Sequence, residues 1–162
     1  MYYINYFFIF AIIGHFIETV FIPNFNSGIL YGWWTPVYGF GAVLILITGK
    51  VINKINWNKK IILKVIATYF CSMILLSLIE LFGGYLIKIV FNKELWNYEH
   101  HRFNIGHYIS LEIANIWGIS SILVLYVLKP IFDKFVNKIP NIVTYTLIFL
   151  FITDNILTLI LK

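Results

Sequence analysis

Ile61–Val90 reads IILKVIATYFCSMILLSLIELFGGYLIKIV, a run of thirty residues in which only Lys64, Glu80 and Lys88 carry charge. About 20 apolar residues suffice for a helix to cross the hydrocarbon of a bilayer, so this run spans with residues to spare and tilts or protrudes. The same pattern recurs on both sides of it, at Tyr2–Ile22, Pro36–Ile52, His107–Leu128 and Ile142–Leu161. Pro36–Ile52 is short enough to read as partly re-entrant. The composition agrees: of the 162 residues 60% are hydrophobic, 19% aromatic and only 12% charged. Soluble domains carry about 25% charged residues. The expected class is an all-α membrane protein, a polytopic bundle of about five transmembrane helices with one re-entrant Gly-rich segment, forming a single integral membrane domain over residues 1–162. The first span lacks a basic n-region and a small-residue cleavage site, and it holds His15 and Glu18. It therefore reads as a retained span and not as a signal peptide.

A net charge of +5 does not point to nucleic acid here, because the basic residues gather beside span ends. Lys50, Lys54, Lys59, Lys60 and Lys64 surround the second connection, and Lys129, Lys134 and Lys138 follow the fourth span. Lys88, Lys93, Arg102 and Lys162 fall on the other side, eight basic residues against four. By the positive-inside rule the larger set is cytoplasmic, which places the N-terminus in the cytoplasm and the C-terminus outside. The lone Cys71 excludes an intramolecular disulfide and reads as packing.

Four acids lie inside apolar segments: Glu18, Glu80, Glu112 and Asp154. A charge at the middle of a membrane helix costs about 2.5 kcal/mol or more, so such residues face a bundle interior and mark function by default. On the expected topology all four lie within roughly 6–12 Å of the external boundary, counting 1.5 Å per residue. Helical spacing gives each acid neighbours: Gly14 and His15 beside Glu18, Ser77 and Gly84 beside Glu80, Tyr108 and Asn115 beside Glu112, Thr158 beside Asp154. His15, Glu18 and Glu80 are the candidate ligands for a divalent metal, on the weak signal of an H-x-x-E pair. The competing reading makes Glu18 an interfacial acid that is either solvated or paired with His15, and Asp154 a neutral hydrogen-bonded acid.

Two loops accompany the acids on the expected external face. Asn24–Gly41 reads NFNSGILYGWWTPVYGFG, too rich in Gly and Pro for a continuous helix; Gly28, Gly32, Gly39 and Gly41 would let backbone amides approach a ligand. Its aromatics equally fit an interfacial belt. The second, Trp96–Gly106, reads WNYEHHRFNIG and holds the only arginine, Arg102, a partner for a carboxylate or an anionic headgroup.

These loops carry a resemblance. G-x-L-Y-G-x-W-x-P-x-Y-G-F-G at Gly28–Gly41, G-x-x-x-E at Gly14–Glu18, the acid of the third span, W-x-Y at Trp96–Tyr98, F-N at Phe103–Asn104 and W-G at Trp117–Gly118 occur in that order. The chain, through about Lys138, thereby resembles the ABC-transporter type IV (CmpB-like) family of small integral membrane proteins. The resemblance implies a permease and identifies no substrate.

Transport is accordingly the leading expectation: a small permease or permease-like subunit whose outer-leaflet cavity binds a cationic solute, ion or proton. Its lining would be Glu18, Glu80, Glu112 and Asp154, with Tyr38, Arg102, Asn104 and Asn115 near its walls. Five spans are few for alternating access, so a homo-oligomer or a partner membrane subunit is implied, in contact with membrane lipid. One alternative is a membrane-embedded enzyme, metal-assisted or not, acting on a lipid or lipid-linked substrate at the external face. The other is a structural subunit of a membrane complex whose polar core fixes helix packing.

Overall fold

A computed structural model describes residues 1–21, 28–57 and 60–162. The expectations that fall on Ile22, Asn24–Ser27 and Lys59 lie outside the described residues. Among the described residues, five helical stretches are long and apolar enough to cross a membrane. They are α1 (Tyr2–Phe21), α2 (Pro36–Lys54), α3 (Ile61–Phe91), the continuous stretch Leu111–Val136, and α6 (Asn141–Leu161). Leu111–Val136 comprises α4 (Leu111–Leu123), a π turn at Val124–Leu128, and α5 (Lys129–Val136).

The class expected from sequence is thus the class observed, but two of the spans differ from expectation for identifiable reasons. α2 is a full helix of 19 residues, where a partly re-entrant segment was expected. Pro36 starts it, at the one helical position where a missing N–H costs nothing, so Val37–Gly41 are helical and not irregular. The fourth span begins at Leu111, not His107, because Ser110 is extended (φ −139, ψ 150) and its Oγ accepts from the Ile113 amide at 3.2 Å. Residues just before it form a small hairpin, β1 (Asn104–Ile105) against β2 (Ile109–Ser110), turning at Gly106 with φ +65. The same span runs past Leu128 to Val136. Pro130 removes a helical donor, and the π turn immediately before it re-registers the backbone so that the helix continues.

α3 has 31 residues, about 46 Å at 1.5 Å per residue, which exceeds a ~30 Å hydrocarbon core. It stops at Asn92, whose left-handed conformation (φ 50, ψ 36) aims its amide at the Lys88 carbonyl.

The chain clusters into two compact units: residues 1–43 with 132–162, and residues 44–131. In the first, Tyr6, Phe8, Phe10 and Ala11 of α1 are buried among Trp34, Phe132 and Phe151. Asn5 ties the ends of the unit together, donating to the Val136 carbonyl at 3.2 Å and accepting from Thr144 Oγ1 at 2.6 Å. In the second, α3 packs closely at two glycines: its Tyr69 ring occupies the space at Gly118 of α4, and the Tyr108 ring of the hairpin turn occupies the space at its own Gly84. The buried residues of α3 are Thr68, Ser72, Leu76, Ser77, Glu80 and Gly84, whereas Ile74 and Ile89 are 56% and 80% exposed. Polar inside and apolar outside is the distribution of a helix facing lipid.

Candidate functional site

The acids divide between the units, Glu18 and Asp154 in the first and Glu80 and Glu112 in the second. In each unit both acids reach the same loop.

In the first unit that loop is Tyr31–Thr35. Asp154 on α6 is 7% exposed and receives four donors. Its Oδ1 accepts from the Tyr31 amide at 2.9 Å and from Thr158 Oγ1 at 3.3 Å; Oδ2 accepts from the Gly32 amide at 2.8 Å and the Trp34 indole at 2.6 Å. An ionised carboxylate has about four lone-pair sites, so this one is filled. The expectation that glycine amides approach a ligand is realised at Gly32 within the chain itself, the ligand being Asp154. Lys162, one step beyond α6, donates to the Ile29 carbonyl and lies 4.4 Å from the Tyr31 ring centre, pinning the same loop. Glu18 is half-buried near the end of α1 and accepts from Thr35 Oγ1 at 3.5 Å and from Tyr38. The Tyr38 ring fills the space at Gly14. His15 is buried one turn from Glu18.

In the second unit the loop is Tyr98–Phe103. Glu80 is 5% exposed within α3, and each of its oxygens accepts one bond: Oε1 from Tyr98 OH at 2.6 Å, Oε2 from the Trp117 indole at 2.9 Å. Two acceptor positions remain on it. Glu112 stands in the first turn of α4, where a negative charge meets the positive end of the helix dipole. It accepts from the Phe103 amide at 3.4 Å and lies 3.7 Å from His101 Nδ1, with its side chain 39% exposed. His101 Nδ1 is also 3.2 Å from Ser110 Oγ. Since one ring nitrogen faces both Ser110 and Glu112, the three do not form a nucleophile relay.

The remaining candidates have local partners. Asn115 accepts from Tyr69 OH and donates to the Leu111 carbonyl at 2.7 Å. Asn104 is exposed and donates to the Gly106 carbonyl at 3.2 Å. The Arg102 guanidinium lies over the Phe103 ring, 5.1 Å from its centre. Among the described residues no group of three or more His, Cys, Asp or Glu side chains is placed to hold a metal ion.

Sequence reasoning passed over Asp133, whose Oδ1 accepts from Tyr2 OH at 2.6 Å and Tyr6 OH at 2.9 Å. The clue was available on α1: two phenols four residues apart share a helix face and need an acceptor. Among Lys129, Lys134 and Lys138, Asp133 reads merely as a solvated acid.

The chain matches no solved structure and no curated protein. Residues 5–159 match a family model, a range that includes the Gly28–Gly41 and Trp96–Tyr98 segments. This integral membrane protein therefore belongs to the putative ABC-transporter type IV family.

Proposed function

We propose that the chain is a permease-type membrane subunit of a transport system in which Glu80 binds the transported cation, the coupling ion or a proton. The observation that carries the reading is the state of the Glu80 carboxyl. It is 5% exposed inside a membrane-length helix, steadied by Tyr98 and Trp117, yet has one bond per oxygen. A buried acid is expensive in hydrocarbon, and its two donors offset part of that cost while leaving acceptor positions for a cation or a proton. Asp154 supports the distinction by contrast, since its four donors leave no such position and fit a packing role. Family membership supports transport as the setting. The basic-residue asymmetry supports an external Trp96–Arg102 loop, a cytoplasmic N-terminus and an external C-terminus. Apolar exposure along α3 and α6 supports contact with lipid, a second copy or a partner subunit.

The test is labelling of the purified protein with dicyclohexylcarbodiimide, which attacks protonated carboxyls in apolar surroundings, followed by peptide mass spectrometry. Glu80 is expected to be the labelled acid, more strongly as pH falls, with protection by any cation it binds. Labelling confined to Glu18 or Glu112, with Glu80 untouched at every pH, would refute the role of Glu80.

A further inference from the structure

Residues 19–79 contain five lysines and no aspartate or glutamate. All five fall within residues 50–64, and the remaining seven basic residues are matched by the seven acids, so this short stretch carries the net charge of +5. The sequence thus offers these lysines no nearby carboxylate. Among the described residues no ion pair or hydrogen bond is seen at the ammonium groups of Lys60 and Lys64. Both line an open pocket of about 230 Å³, together with Asn53, Ile55, Trp57 and Ile61. Three consecutive pieces of chain build it: the end of α2, the turn that follows, and the start of α3. Backbone and side-chain bonds fix its walls. The Trp57 indole and the Ile55 amide donate to the Ile52 carbonyl at 2.8 and 3.2 Å. The Lys60 amide donates to the Trp57 carbonyl at 2.8 Å, and the Lys64 amide to the Lys60 carbonyl at 3.4 Å.

We propose that this pocket binds the phosphate of an anionic phospholipid, with Lys60 and Lys64 as its counter-ions and the Asn53 carboxamide as a further donor. The site stands apart from the role of Glu80. Lysine meets a phosphate as a point charge with three donors, and two of them with no internal partner suit one anion. Ile55 and Ile61 are exposed, and they give the glycerol and first acyl carbons of a lipid an apolar wall. Placement favours a lipid over free phosphate. The pocket joins two helices of membrane-spanning length, and α3 is longer than the hydrocarbon is thick, so its first turn can stand among headgroups. Lysine stems lie along apolar surface while their ammonium groups reach that depth, and tryptophan collects there. The basic-residue asymmetry that supports a cytoplasmic position for this turn also supports the leaflet in which anionic lipids concentrate. The pocket is smaller than the roughly 300 Å³ at which sites begin to enclose a whole organic ligand, and fits a headgroup whose tails remain in the bilayer.

The test counts lipids bound to the full chain, purified in detergent, by native mass spectrometry during titration with phosphatidylglycerol or phosphatidylcholine. Wild-type protein should hold one phosphatidylglycerol molecule more tightly than phosphatidylcholine. Lys60→Gln/Lys64→Gln should weaken that lipid about 25-fold, or about fivefold for each lysine lost, and Lys60→Arg/Lys64→Arg should retain it. Lys134→Gln/Lys138→Gln, which removes the same charge elsewhere, should bind as wild type does. Equal affinity for the two lipids, or equal weakening in the two Gln double variants, would overturn the site. Displacement of the lipid by an equal concentration of inorganic phosphate or of a polyglutamate peptide would overturn the lipid assignment, in favour of a free anion or an acidic protein partner respectively. If Lys60→Gln/Lys64→Gln aggregates, Lys64→Gln alone is measured, and unchanged affinity in it overturns the site.

Discussion

Replacing Asp154 by Asn tests the clamp on the Tyr31–Trp34 loop. The carboxylate accepts two bonds on each oxygen. An Asn side chain of the same shape keeps one acceptor oxygen and turns an NH2 group toward the other two donors. Two charge-assisted bonds are lost, each with a net value of about 1.5 kcal/mol at the low end of their range, and the remaining two lose their charge assistance. The low-end figure suits a loop that regains water when it opens. Loss of about 3 kcal/mol corresponds to roughly a hundredfold change in the opening equilibrium. Since Tyr31 and Gly32 amides bond Asp154 directly, their hydrogen exchange reports the change without intermediates. In detergent-solubilised Asp154→Asn protein these two amides should exchange about a hundredfold faster, with α3 amides unchanged. Equal exchange in variant and parent would refute the clamp, because among the described residues only Asp154 is seen to bond those amides.

Gly39→Ala places a methyl 2.7 Å from the Phe7 carbonyl oxygen, a backbone atom with little room to yield. Overpacking of this kind costs about 1–3 kcal/mol, and a lowered thermal midpoint in detergent should register it. Glu94 is exposed at the surface, and Lys88 Nζ at 2.7 Å holds its carboxyl below the usual value. A depressed pKa contributes stability above the unfolded value that disappears as pH falls through the folded one. Glu94→Gln should therefore speed exchange near Asn92 at neutral pH and have no effect once the native acid is protonated, and high salt should shrink the difference. For topology, single cysteines on a Cys71→Ser background should be labelled by an impermeant reagent from outside at Tyr98 and from inside at Lys54. The reverse pattern would contradict the basic-residue argument.

Five spans were legible because hydropathy over some twenty residues integrates many small transfer terms, and errors at single positions average out. Glu80 and Asp154 were legible as buried polar residues for the same reason, since each interrupts an otherwise apolar run. Boundaries depended on local chemistry that hydropathy does not weigh. The glycines of Asn24–Gly41 suggest irregular backbone throughout, yet Pro36 opens a helix and Gly39 serves close packing against Phe7. The two-residue strands of the Asn104–Ser110 hairpin are too short for an alternation signal. Partners were least legible. The donor to Asp154 from Trp34 is separated by 120 residues and the donor to Glu80 from Trp117 by 37, and tryptophans in apolar sequence read first as an interfacial belt. Asp133 escaped because its neighbours in sequence are lysines, whereas its observed partners Tyr2 and Tyr6 stand at the opposite end of the chain.

The central claim is that the Glu80 carboxyl changes its protonation or cation occupancy while buried. Infrared difference spectroscopy of the membrane-reconstituted protein observes that carboxyl directly, through the C=O band that only a protonated acid carries. Titration of wild-type protein should produce a carboxyl band that is missing from Glu80→Gln and retained in Glu18→Gln and Asp154→Asn. Identical titration spectra for wild-type and Glu80→Gln protein, both folded, would contradict the account and leave Glu80 as a packing residue.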